Sequence, residues 1–274
     1  MSTRLGRLRA GESAVDARIV AAALTGLTAV AVAGRFALAL VVNAPGTVSG
    51  APLSTLSVAA TAAGGAALVA LGPDRADPLS GIGLLFAGVF GLLSLAGAAA
   101  VPAAVAVPTG LALFAVAARE RVGTGPGLLV CGLLAALGLA LASGVGGVAP
   151  LRPVASTATL LALGTTPLLA GADGRAFVAG CVALGVVVAT GLALPFATGA
   201  VTLVAVGAVG SPLPVVAIAV GGSVTTASAA LSRRDWGLLA GVALVTCAGV
   251  PATVARAVPF ALGAVTLVAW EGER

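Results

Sequence analysis

The chain has 274 residues, 59% of them hydrophobic and 8% charged, with 14 arginines against nine acids. A water-soluble domain carries roughly a quarter charged residues, so too few are present to wet a globule of this length. Histidine, lysine and tyrosine are absent, which excludes Schiff-base chemistry, a phosphate-loop lysine, imidazole metal ligands, haem histidine and serine–histidine catalysis.

In chain order, residues 1–18 are basic, with Arg4, Arg7, Arg9 and Arg18 beside Glu12 and Asp16. An apolar run from Ile19 to Val42 follows. It exceeds a signal-peptide core of about 7–15 residues, so it predicts an uncleaved first span with a cytoplasmic N-terminus. The uncharged "NAPGTVSGAP" at 43–52 turns the chain into a second run that ends near Leu71, and "GPDRADP" at 72–78 restores charge. A third run from Gly81 turns through "AGAAAVP" at 96–102 into a fourth that ends at "ARERVG", 118–123. The fifth starts near Leu128, and "GVGGVAPLRP" at 144–153 links it to the sixth, which "GADGR" at 171–175 closes.

Each run is near the twenty residues that cross about 30 Å of hydrocarbon as a helix, and none alternates as a barrel strand does. The predicted fold is all-α: a polytopic transmembrane bundle built as successive helical hairpins. Charge marks the base of each hairpin and a Gly/Pro turn its tip. A single bundle over 19–270 is expected, between the basic segment 1–18 and a short tail, 271–274. "GLL" recurs after three bases, at Gly83, Gly127 and Gly237, but the bases are irregularly spaced, so no strict repeat follows.

Residues 176–232 are too long for two ordinary spans and tight for three. Pro195, Pro212 and Pro214 bracket "FATGAVTLVAVGAVGS" at 196–211. Sixteen residues make a helix of about 24 Å, short of a crossing. Either the segment spans, giving eleven spans, or it enters and leaves on one side, giving ten. With ten, "SRRDW" at 232–236 and "EGER" at 271–274 share one side with all nine acids, and Trp236 and Trp270, the two tryptophans, sit at one headgroup level. The ten-span form is preferred, with both termini in the cytoplasm.

Three arginines then stand apart. Arg35 lies about 24 Å above Ile19, Arg256 about 21 Å above Trp270, and Arg152 falls in an outer turn. Each anchors a helix end to lipid headgroups, or together they form an outward-facing anion site, since a guanidinium binds two oxygens of a phosphate or carboxylate. The second reading requires Arg35 and Arg256 to be neighbours. The proline-bracketed segment is the other candidate, a broken-helix site at Pro195, Thr198, Thr202, Pro212 and Pro214, with "SVTT" at 223–226 as a further source of hydroxyls.

No carboxylate lies inside a span, which argues against proton coupling. Cys131, Cys181 and Cys247 are isolated in apolar runs and read as small, buried and inert, not as metal ligands. No metal, cofactor or catalytic residue is predicted. "GTGPG" at 123–127 lacks the remainder of a phosphate loop and reads as a turn. The 39 glycines permit close helix contacts without locating an interface. Arginine near helix ends is accounted for by membrane anchoring, not by nucleic acid.

The exclusive use of arginine, with abundant Ala, Gly and Val, resembles the uncharacterised multi-pass membrane proteins of halophilic archaea. The resemblance is one of composition along the whole chain; it implies residence in the plasma membrane and no particular functional residue. The functional expectation is a non-enzymatic, permease-like bundle, or membrane subunit of one, for a small solute. The alternative is a structural or assembly partner in a membrane complex. The expected partners are the lipid bilayer and other membrane subunits.

Overall fold

The computed structural model describes residues 2–42, 51–73, 75, 77–97, 99–118 and 124–271. Among these every regular element is helical. Helix α1 is Ser2–Val42, α2 Ala51–Leu71, α3 Pro78–Leu93, α4 Ala100–Ala118, α5 Thr124–Gly144 and α6 Arg152–Gly164. They are followed by the single turn α7 Pro167–Ala170, then α8 Gly174–Ala193, α9 Pro195–Val201, α10 Leu213–Arg233, α11 Trp236–Ala248 and α12 Val254–Glu271. Eight segments are long and apolar enough to cross a membrane: Ala17–Val41, Pro52–Leu71, Pro78–Ala96, Ala100–Ala118, Gly127–Gly144, Ala149–Ala170, Gly174–Ala193 and Leu213–Arg233. The chain is thus an all-α polytopic bundle. The turn at 43–50, most of "ARERVG" and the tail 272–274 lie outside the described residues. Two boundaries differ from the sequence expectation. Residues 2–18 continue α1 without a break, and Thr124–Gly127 of "GTGPG" are the first turn of α5.

The acids at the hairpin bases have a local cause. Asp77 accepts from the Leu79 N–H at 3.0 Å, Asp173 from Ala176 at 3.0 Å and Asp235 from Leu238 at 2.9 Å. Each opens the helix that re-enters the bundle, pairing one of the amide groups that a helix start leaves without an intrahelical acceptor. The helix dipole also favours a carboxylate there.

Neighbouring helices cross on glycine. A Cβ placed on Gly88 would lie 2.6 Å from the Gly65 carbonyl oxygen, and one on Gly81 would lie 2.8 Å from that of Gly72, which closes α3 onto α2. Gly83 and Gly110 join α3 to α4 in the same way. Among lipid tails no hydrophobic gain separates helix from solvent, so such close backbone approach carries the packing. Of the "GLL" glycines, Gly83 sits at such a crossing, whereas Gly127 has open space at its Cβ position. Hydroxyls are mostly satisfied inside the bundle: Thr226 donates to Thr166 at 3.0 Å and Thr246 to Ser223 at 3.2 Å. "SVTT" therefore ties α10 to its neighbours.

The C-terminal helix is the central post. Phe260, Leu262 and Leu267 are fully buried, as are Ala257 and Val258 near the start of α12. Helices α2, α4, α5 and α11 pack around it. By contrast α8 lies at the periphery, with Phe177, Val178 and Val182 exposed.

Segment 195–212 returns to the end of the bundle from which it left. Helices α8 and α10 form an antiparallel pair: the Gly180 position meets Thr225, and the Gly191 position meets the Leu213 side chain. The end of α8 and the start of α10 are therefore level, and what lies between them makes no net crossing. Eight helices are long and apolar enough to cross a membrane, and α11 and the apolar part of α12 are shorter.

Candidate functional site

Non-helical backbone at membrane depth is the feature that builds the site. Helix α11 has 13 residues and is about 20 Å long, well short of about 30 Å of hydrocarbon. It starts at the charged end, where Asp235 caps it, so its C-terminus stops inside the membrane. Gly249, Val250 and Pro251 follow it as buried, irregular chain. Backbone of this kind survives at such depth only when packed in protein or facing a watered cavity.

The segment from α8 meets that loop. Helix α9 continues into a π-helical turn at Thr202–Val206 and ends at Gly207, which is left-handed with φ 75°. Turns of this type occur often at functional sites. The Val206 carbonyl accepts from the Val250 N–H at 2.8 Å and from Arg256 Nη1 at 3.0 Å. Farther on, the Val209 N–H donates to Ser156 Oγ at 3.0 Å, and Gly210 rests on Pro153. The Ser211 hydroxyl is buried with no hydrogen-bond partner among the described residues, a position that calls for water.

These contacts enclose a cavity of about 230 Å³ at the end of the bundle away from the charged bases. Arg152, Arg256, Ser143, Ser156, Thr253 and Gly207 line it. Arg152 is exposed at the start of α6 and Arg256 is half-buried at the start of α12. No acid is among the lining residues. The Val206 bond occupies one of the five N–H donors of the Arg256 guanidinium, which leaves a planar fork able to hold two oxygens.

Arg35 is placed nearby, and for a reason the sequence did not disclose. Its Nη2 donates to the Cys247 carbonyl at 3.4 Å, in the last turn of α11. Arg35 thus reaches the last turn of α11, and Arg256 stands in the first turn of α12, across the same loop. Each satisfies a carbonyl where a neighbouring helix ends early, the position at which a cation also meets the negative end of the helix dipole. Arg233 does the same at the charged end, donating to the Ala170 and Gly171 carbonyls where α7 stops.

The structure brings Arg152 and Arg256 to one cavity and sets Arg35 beside them, on Cys247. It does not gather the proposed broken-helix residues there. Pro195, Pro212 and Pro214 are exposed and delimit α9 and α10, as proline at a helix start does. Thr202 donates to the Gly199 carbonyl at 2.9 Å on its own helix, and Thr198 is half-buried on α9. The segment contributes Gly207 and Val209 to the cavity instead. Ser143, Ser156 and Thr253 had no sequence signal beyond proximity to a turn. Cys131 and Cys181 are exposed on the bundle surface, not buried, while Cys247 is half-buried. Among the described residues no group of His, Cys, Asp or Glu could hold a metal.

No curated protein and no solved structure matches the chain. One family model does, over residues 18–268, from within α1 into α12. The chain therefore belongs to the integral membrane family of unknown function DUF8068.

Proposed function

We propose that this protein is a non-enzymatic, permease-like bundle, or the membrane subunit of one, that takes up a small anionic solute from the far end. The observation that carries the reading is the convergence of Arg152 and Arg256 with three hydroxyl residues on a cavity of about 230 Å³ beside irregular backbone. That volume is below the range of about 300–1,000 Å³ usual for drug-sized ligands. It suits an oxyanion or a short carboxylate. The absence of acids from its lining gives the field one sign, which concentrates anions in a cleft.

In this reading the charged end is cytoplasmic and the cavity faces outward, because arginine collects on the cytoplasmic side. The N-terminus is then cytoplasmic, the membrane is the plasma membrane, and the lysine-free composition fits a halophilic archaeal host. The packed middle of the bundle around α12 corresponds to the closed side of an outward-open state. It equally supports the second reading, a scaffold that holds other membrane subunits.

Thermal unfolding of the detergent-purified protein in increasing sulfate, phosphate or acetate, at fixed ionic strength, separates the two. The permease reading requires stabilisation by at least one of these anions, lost in Arg152→Gln, whose side chain is exposed and removable without disturbing the core. Equal melting in all anions at matched ionic strength contradicts it, and recovery of a stoichiometric partner from membranes would then favour the scaffold.

A further inference from the structure

A second cavity opens at the charged end and is independent of the anion site. Its volume is about 600 Å³. Three arginines from distant parts of the chain stand around it: Arg18 within α1 at the start of its apolar span, Arg75 just beyond α2, and Arg234 at the end of α10. Arg75 also lies over the Phe114 ring, with 5.5 Å from its guanidinium carbon to the centroid. No acid is among the lining residues.

Away from the arginines the walls are mainly apolar, and the hydroxyls of Thr25 and Thr266 there are spent on carbonyls of their own helices. Ala21, Ala22 and Gly26 supply one side and Val265 of α12 the other. Gly26 lies eight residues beyond Arg18, so the slot runs about 12 Å into the bundle. Trp236 also lines it and is 64% exposed. Such a tryptophan belongs at headgroup level, with an apolar body and one polar N–H. Ile19 and Val20 on the adjoining turn of α1 are likewise exposed, so the slot borders a surface that lipid covers.

Arg234 adds an observation of a different kind. It is the one non-glycine residue among those described with positive φ, at 57°. A helix C-terminus in this conformation ordinarily carries glycine or asparagine, because other side chains are strained there. The strain persists with the Arg234 side chain on the slot.

We propose that this slot binds one anionic phospholipid of the leaflet at the charged end. Its phosphate sits among Arg18, Arg75 and Arg234, its glycerol region meets Trp236, and the upper part of one acyl chain lies between α1 and α12. A free phosphate would fill only the mouth and leave the apolar walls uncovered. A zwitterionic lipid would bring its own cation to a rim that already has three.

Native mass spectrometry of the detergent-purified full chain tests this, with phosphatidylglycerol and phosphatidylcholine of matched chains and glycerol phosphate as the headgroup alone. One phosphatidylglycerol should be retained at least tenfold more tightly than phosphatidylcholine, and glycerol phosphate should not compete at equal concentration. Arg234→Gly should abolish that preference while melting, without lipid, no lower than the parent, since glycine relieves the backbone. Arg18→Gln should reduce the preference as well. Equal retention of the two lipids, an unchanged preference in Arg234→Gly, or competition by glycerol phosphate as strong as that of the lipid overturns the proposal.

Discussion

A single methyl group at the α3–α4 crossing should unseat the first half of the bundle. In Gly110→Ala the new Cβ falls on the Gly83 carbonyl oxygen, 2.9 Å from the Ala87 Cβ and 3.0 Å from the Ala87 nitrogen. Two of those three atoms are backbone, so no side chain can swing aside. Ordinary carbon contacts are about 3.5–4.0 Å, and the helices must part by roughly 1 Å. A gap of that size forfeits a quarter to a half of each contact across it. Leu84, Ala87, Leu111 and Phe114 are all buried along this seam. Overpacking typically costs about 1–3 kcal/mol, and the rigid neighbours put this case near the upper end. At about 2–4 °C per kcal/mol for a chain of this size, the melting temperature should fall by about 6–12 °C. Fluorescence-detected size exclusion after heating steps, in one mild detergent, reads that shift. Gly138→Ala is the control: its Cβ position has nothing within 4 Å, and alanine is the better helix former by about 1 kcal/mol. If Gly110→Ala melts with the parent, or if Gly138→Ala falls as far, glycine crossings are not what holds these helices together.

Two further outcomes follow from single contacts. Asp173→Ala removes the acceptor that caps α8 and should cost about 1 kcal/mol, with Asp173→Asn recovering most of the loss in the same melting assay. Gly207→Ala places a Cβ against the Arg256 guanidinium at a backbone φ of 75°, so it should weaken anion-dependent stabilisation several-fold even where the protein still folds. An unchanged anion response in that variant would remove Arg256 from the site.

How much of this was legible in the sequence depends on which neighbour decides a residue's role. The spans were legible because a continuous apolar run near twenty residues has few alternatives to a membrane helix. The hairpins were legible because charge recurred at one end of every pair. The turn-back at 195–212 could be read from Pro195, Pro212 and a segment too short to cross. The central position of α12 was not, because protein and lipid neighbours demand the same apolar surface; nothing distinguishes the buried Phe260 from the exposed Phe177 by type. The partner of Arg35, the Cys247 carbonyl, is backbone and leaves no trace in the residue pattern. The hydroxyls Thr198 and Thr202 drew attention because they sit in the broken segment. Thr202 is spent on its own helix, whereas Ser143 and Ser156 reach the cavity from α5 and α6.

The central claim is that a watered, positively charged cavity lies beside the break at the end of the bundle away from the charged bases. Thr253, exposed on its rim, offers the most direct test. With Cys131, Cys181 and Cys247 replaced by alanine, Thr253→Cys in intact cells should react with a membrane-impermeant maleimide added outside, and sulfate or phosphate should slow that reaction while a matched chloride concentration does not. Labelling from the cytoplasmic side alone, or a rate indifferent to every oxyanion, would contradict the account.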